Sequence, residues 1–159
     1  MRLLKRAEDK LHFHCLARER QLLLELLSLY PLVPVGHQEL TRAGDRPEDQ
    51  ALLDTALAEH AAENSAQIRR LLQSPEQFRP LATGLLFIVS AEELEGLLQA
   101  LNDIRVGSWL VLGGPDLEGE MPAVHQDNVR YFWAMDLAGN FQMMFLRALT
   151  NYPATPPEP

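Results

Sequence analysis

The chain has 159 residues, 47% of them apolar and 23% charged, and a formal net charge of -8. Such a composition fits one globular domain and excludes a disordered or fibrous segment, and a domain of this size buries about 68–70% of its unfolded surface, enough for a core without metal or disulfide staples. The single cysteine, Cys15, excludes an intrachain disulfide and a zinc site built on several thiolates, and it fits a reducing compartment.

The longest charge-free runs, Leu26 to Gln38 and Pro80 to Ala91, fall well short of the roughly 20 apolar residues that cross a bilayer. Met1 to Lys5 is basic, but no continuous apolar stretch with a cleavage site follows, so the expectation is a cytoplasmic protein without a secretion signal. Arg2, Lys5, Arg6, Lys10, Arg18 and Arg20 stand beside three acids in the first twenty positions, giving that segment +3 and the remainder -11. Bulk nucleic-acid binding is disfavoured by this balance, which leaves only a weak anionic contact at the amino end.

In chain order, Arg2–Arg6 and Leu11–His14 flank the polar tetrad Ala7 to Lys10 and predict a short hairpin over about 2–14. The leucine doublets from Ala17 predict a helix over 17–30, stopped by Pro31. Residues Val33 to Asp45 read as a connecting loop. A second helix spans 47–73, with Asp45 or Arg46 as cap and Glu48 and Asp49 in the first turn. Leu81 to Val89 reads as a buried strand or an extended connector, and strand is preferred. Ser90 and Glu93 form a capping box opening a third helix over 91–112, with a bend expected at Gly107 and a stop at Gly113-Gly114-Pro115. Pro115 to Gln126 reads as a mobile loop, and a fourth helix over 128–150 starts at Asp127 or Asn128. Residues 153–159 hold four prolines and predict a disordered tail. The expected fold is mainly α: a single-domain bundle of about four helices with an amino-terminal β-hairpin.

Helical wheels place four polar residues on apolar stripes. His60 and Asn64 lie among Leu53, Leu57, Ile68 and Leu71. Arg105 lies among Leu94, Leu98, Leu101 and Leu112, and Gln142 among Tyr131, Met135, Ala138, Phe145 and Leu149. If these faces pack together, the four converge inside, and Arg105 then needs a carboxylate, carbonyls or an anion. Glu63 is the preferred partner over Asp103. Three readings remain: a satisfied polar network that sets helix register, Arg105 reaching the surface along its stem, or a small ligand or anion pocket.

His12 and His14 alternate onto one face of the hairpin with Cys15 adjacent, which makes them weak candidates for one metal without an evident third ligand. His37 and His125 fall in loops without partners. The motifs of common nucleophilic, nucleotide-binding and zinc-dependent mechanisms are missing, so no catalytic residue and no cofactor are assigned, and the balance is against an enzyme.

The run Leu101-Asn102-Asp103-Ile104-Arg105 with Leu112-Gly113 downstream, after the Ser90 capping box, resembles the L-N-D-x-R signature of bacterial domain-of-unknown-function family two-zero-one-seven. Ile68-Arg69-Arg70 and Tyr131-Phe132-Trp133 through Leu137 and Gly139 are similar to two further motifs of that family. Ser108, Trp109 and Val111 depart from its pattern. The resemblance transfers Asn102, Asp103 and Arg105 as signature residues and no catalytic group. It implies a regulatory or adaptor-like protein-interaction role, linked to Clp proteolysis by gene neighbourhood. The alternative is an anion-binding sensor or enzyme with a pocket at Arg105 and His60. Phe132, Trp133, Phe141, Met143 and Met144 extend the apolar surface of the fourth helix, which implies either a central position or a homodimer contact.

Overall fold

The computed structural model describes residues 1–34, 47–114 and 122–150. The expected hairpin forms as β1 (Arg2–Ala7) and β2 (Lys10–Cys15), and Glu8 adopts φ of 54° in the tight turn between them. It does not stand alone. A second hairpin, β3 (Phe78–Leu81) and β4 (Gly84–Ser90), pairs with it through β2 and β4, giving a four-stranded antiparallel sheet in the order β1-β2-β4-β3. Leu85 to Val89 is therefore strand, and β3 is the element that the sequence pattern hides, because Pro80 and a length of four residues mask its alternation. Both exposed edges carry devices that discourage further pairing: a register break at Leu4 with Lys5 beside it on β1, and Pro80 on β3.

Among the described residues the remaining elements are four helices: α1 (Ala17–Leu27), α2 (Pro47–Gln73), α3 (Ala91–Val111) and α4 (Val129–Leu149). The protein is thus mainly helical with an amino-terminal hairpin. Helix α1 ends three residues before the predicted Tyr30. Its last amides fold into tighter turns, Leu29 to the Leu26 carbonyl and Tyr30 to that of Leu27, because a residue preceding proline is driven out of the helical region and Tyr30 has a partner elsewhere. The capping box of α3 is present, with the Glu93 amide on Ser90 Oγ at 3.1 Å and the Ser90 amide on the Glu93 carboxylate at 2.7 Å. Asn128 occupies the cap position of α4, but its side chain accepts from the His125 amide and donates to the Ala123 carbonyl instead of capping the helix. The caps proposed at Asp45 and Arg46, His37, most of the 33–45 loop, residues 115–121 and the proline-rich tail lie outside the described residues.

The core fills the space between the inner face of the sheet and the helices. Leu11, Phe13 and Cys15 of β2 and Phe87 and Val89 of β4 alternate inward and are buried. Phe13 meets Phe145 of α4 edge-on at 5.6 Å, and Phe87 stacks on Phe78 at 4.6 Å. Helix α3 supplies Leu94, Leu97, Leu101 and Ile104, and α4 supplies Ala138, Phe141 and Phe145. The amino-terminal half of α2 does not reach this core. Of the apolar residues of its predicted stripe, Ile68 and Leu71 are buried, whereas Leu57 is exposed.

Gly84 opens β4 with φ of 126°, and a Cβ there would sit 2.7 Å from the Cys15 carbonyl oxygen. Gly139, inside α4, has open space around it. Gly84→Ala is therefore expected to destabilise the fold by about 2 kcal/mol, whereas Gly139→Ala stabilises it by about 0.5–1 kcal/mol, both read from urea unfolding midpoints.

Candidate functional site

The polar residues of the helical stripes do not meet in one interior cluster. The buried face of α3 runs through Leu97, Leu101, Ile104 and Ser108, and that of α4 through Ala134, Ala138, Phe141 and Phe145. Arg105 and Gln142 lie on the flanks of these faces, one wheel position away. They meet each other at that margin, with Arg105 Nη1 donating to Gln142 Oε1 at 3.5 Å, and the guanidinium is exposed. Glu63, its preferred partner, sits on α2 instead, and among the described residues no carboxylate pairs with Arg105. Of the three readings, the arginine that reaches the surface along its stem fits the geometry. A wheel assigns angles correctly but cannot tell the centre of a buried face from its edge, and a shift of one residue put Arg105 on the wrong side of that boundary.

His60, Glu63 and Asn64 remain together on α2, where they line a polar cleft of about 240 Å³ against Glu92, Glu95, Gly96 and Gln99 of α3. His60 and Glu63 are exposed. Three carboxylates, Glu63, Glu92 and Glu95, line the cleft with His60, and Arg105 is not among its lining residues. Only Asn64 is buried, at 6% exposure. Its amide donates to the Gly96 carbonyl at 3.1 Å and to the Tyr30 hydroxyl at 3.3 Å, tying α2, α3 and the segment that follows α1 together. A Cβ on Gly96 would lie 2.7 Å from Asn64 Oδ1, so a glycine is what lets the two helices close on this amide.

Asp103 of α3 has a structural task as well. Its Oδ1 accepts from the amides of Leu32 at 2.6 Å and Val33 at 3.2 Å, holding the segment after the cis Tyr30-Pro31 bond against α3. One turn on, Gly107 admits Leu32, whose Cγ lies 2.7 Å from where a Cβ would be, so this glycine serves a close approach within a helix that runs unbroken to Val111. Burial pushes the Asp103 carboxyl up, and the two amides partly oppose that shift. Burial likewise raises the Tyr30 phenol. Asn102 is exposed.

Cys15 is buried with its thiol raised by burial and turned to the Leu16 carbonyl, the setting of an inert core thiol. His12 and His14 do share a face, but Cys15 points to the opposite one and His14 Nε2 is engaged with the Thr83 carbonyl oxygen. Among the described residues no group of three potential ligands surrounds a metal position.

What sequence reasoning missed is the outer face of the sheet. The pairing register aligns Arg2 and His14, Lys5 and His12, Ala7 and Lys10, and then Ser90, Ile88 and Leu86 of β4 with Arg79 of β3 on that side. None of these residues belongs to the core cluster. Arg2, Lys5, Lys10 and Arg79 are exposed, and no strand residue of the face is acidic. The alternation K-x-H-x-H in β2 carried the signal, but β3 had to be recognised before Arg79 joined it. Comparison with known proteins adds no relative: no family model, curated protein or solved structure matches the chain.

The clamp at Asp103 yields a graded expectation. Asp103→Ala leaves two amides without their acceptor and costs about 1–3 kcal/mol, whereas Asp103→Asn keeps Oδ1 and costs less. A carboxyl raised in the folded state stabilises fully below its unfolded value of about 3.9 and loses that contribution as pH rises through the folded value. Urea unfolding from pH 3.5 to 7 should therefore show the wild type losing stability relative to Asp103→Asn as pH rises.

Proposed function

We infer that this chain is a non-enzymatic, regulatory or adaptor-like protein-interaction domain, in which a helical bundle acts as scaffold and the sheet presents the working surface. One observation carries the reading: the sheet has a second face that lies outside the core cluster, with an apolar centre at Leu86 and Ile88 and a cationic periphery. Antiparallel sheets with one face on a core commonly turn the other to solvent, where it reads as simple polar alternation. Here two outward positions of β4, Leu86 and Ile88, are apolar instead, in the middle of the sheet, where a contact would be dry. The polar side chains from which catalytic machinery would have to be built are dispersed between two helix margins and already hold structural hydrogen bonds at Asn64 and Asp103. A role beside the Clp protease, suggested by the resemblance of the Leu101 to Arg105 run, is compatible with a domain that works by contact.

A photo-crosslinking amino acid placed at Leu86, compared with one at the exposed Thr55 of α2, tests this in native cells. The expected outcome is a discrete crosslinked protein from position 86 and none from position 55. Equal capture at both positions, or none at 86, would overturn the reading.

A further inference from the structure

We propose that the outer face of the sheet binds an extended acidic segment of a partner protein, with its carboxylates on Arg2, Lys5, Lys10 and Arg79 and an apolar side chain over Leu86 and Ile88. This rests on the protein-interaction reading and names the chemistry of the partner.

Charge is the first argument. Four fixed cations on one face of a chain of net charge -8 leave the rest at -12. Within about 8–10 Å the face is governed by its own charges, and beyond that distance salt screens the remainder. A short acidic segment feels the attraction and ends before the repulsion begins. Size agrees with this. Six-residue strands such as β2 span about 20 Å, and four strands at about 4.8 Å spacing make a face some 15 Å across, which fits an extended segment of about six residues.

His12 supplies an independent sign. Its Nδ1 is shielded from solvent and finds no hydrogen-bond partner among the described residues, in the middle of the face. His14 flanks it on β2, β4 presents Leu86, Ile88 and Ser90, the nearby carboxylate is Glu8 in the hairpin turn, and the charges around it are Lys5 of β1, Lys10 of β2 and Arg79 of β3. Burial first, then these cations, hold the imidazole below its ordinary value. A bound carboxylate would reverse the cationic contribution, so binding and protonation of His12 reinforce each other.

Other anionic partners fit less well. The aromatic rings of the sheet, Phe13, Phe78 and Phe87, all face inward, so no platform is left on which bases could stack. Four phosphate contacts alone give little affinity at physiological salt. Ile88 is recessed, at 8% exposure, and offers nothing to insert into a bilayer.

The test uses the full chain and fluorescence anisotropy. The probes are a labelled eight-residue peptide of alternating glutamate and leucine, its lysine-for-glutamate counterpart, a single-stranded oligouridine and phosphatidylserine vesicles. The acidic peptide is expected to bind at least tenfold more tightly than the basic one. Lys5→Gln/Lys10→Gln/Arg79→Gln should weaken it about tenfold, while Arg69→Gln/Arg70→Gln/Arg147→Gln, an equal change in charge away from the face, leaves affinity within about twofold. Lowering the pH from 7.5 to 5.5 should tighten binding severalfold in the wild type and not in His12→Gln. Equal losses from the two triple variants would reduce the effect to net charge and overturn the proposal. So would binding of oligouridine or vesicles without the acidic peptide, or self-association in sedimentation that the Lys5/Lys10/Arg79 variant abolishes. A partner crosslinked at residue 86 through a segment that is not acidic would overturn this inference and leave the interaction reading standing.

Discussion

Helix α3 must receive α2 and the chain leaving α1 on one side while it packs along α4 on the other, and two missing side chains make that possible. Gly96 and Gly107 fall about 20° apart on the helical wheel, and Asp103, between them in sequence, lies about 20° to the other side of Gly96. At Gly96 the helix admits the Asn64 amide, and at Gly107 it admits Leu32. Each close approach places polar backbone or amide groups out of water, and each has its partner: the Gly96 carbonyl and Tyr30 hydroxyl for Asn64, Asp103 for the Leu32 and Val33 amides. Hydrogen bonds of this kind add modest stability when made and cost more when broken, so they select one packing arrangement over its neighbours. The residues of the L-N-D-x-R run divide accordingly. Asp103 is a fastening, Ile104 is core, and Asn102 and Arg105 face outward.

The sheet is asymmetric in the opposite sense. Its inner face is built from Phe13, Phe87, Phe78 and their aliphatic neighbours and is committed to the core, where close packing leaves no freedom for a ligand. Its outer face gathers cations from three of the four strands around an apolar centre. Because antiparallel pairing brings distant strands into register, Arg79 stands beside residues of the amino-terminal hairpin although α1 and the whole of α2 intervene along the chain. The acidic balance of the rest of the chain makes this face the exception.

Much of the architecture was legible because it rests on local signals. The Ser90 and Glu93 pair marks a helix start through two reciprocal hydrogen bonds within one turn, and Pro47 marks another through its fixed φ. Period-two alternation in Lys10–Cys15 announced which residues face inward. The second hairpin was only half visible. β4 reads as a buried strand, but β3 is short, contains Pro80 and is defined by its partner more than by its own residues.

The amino-acid sequence by itself determined where the helices and the first hairpin lie, the charge dipole along the chain, and the absence of common catalytic motifs, since each of these depends on residues near one another in the chain. Tertiary structure alone decided that Arg105 and His60 stay apart, that Asp103 clamps residues 32 and 33, and that Arg79 completes a cationic face with β1 and β2. Those outcomes hinge on which edge of a helix faces its neighbour and which strands pair, and both are settled by packing between segments distant in sequence.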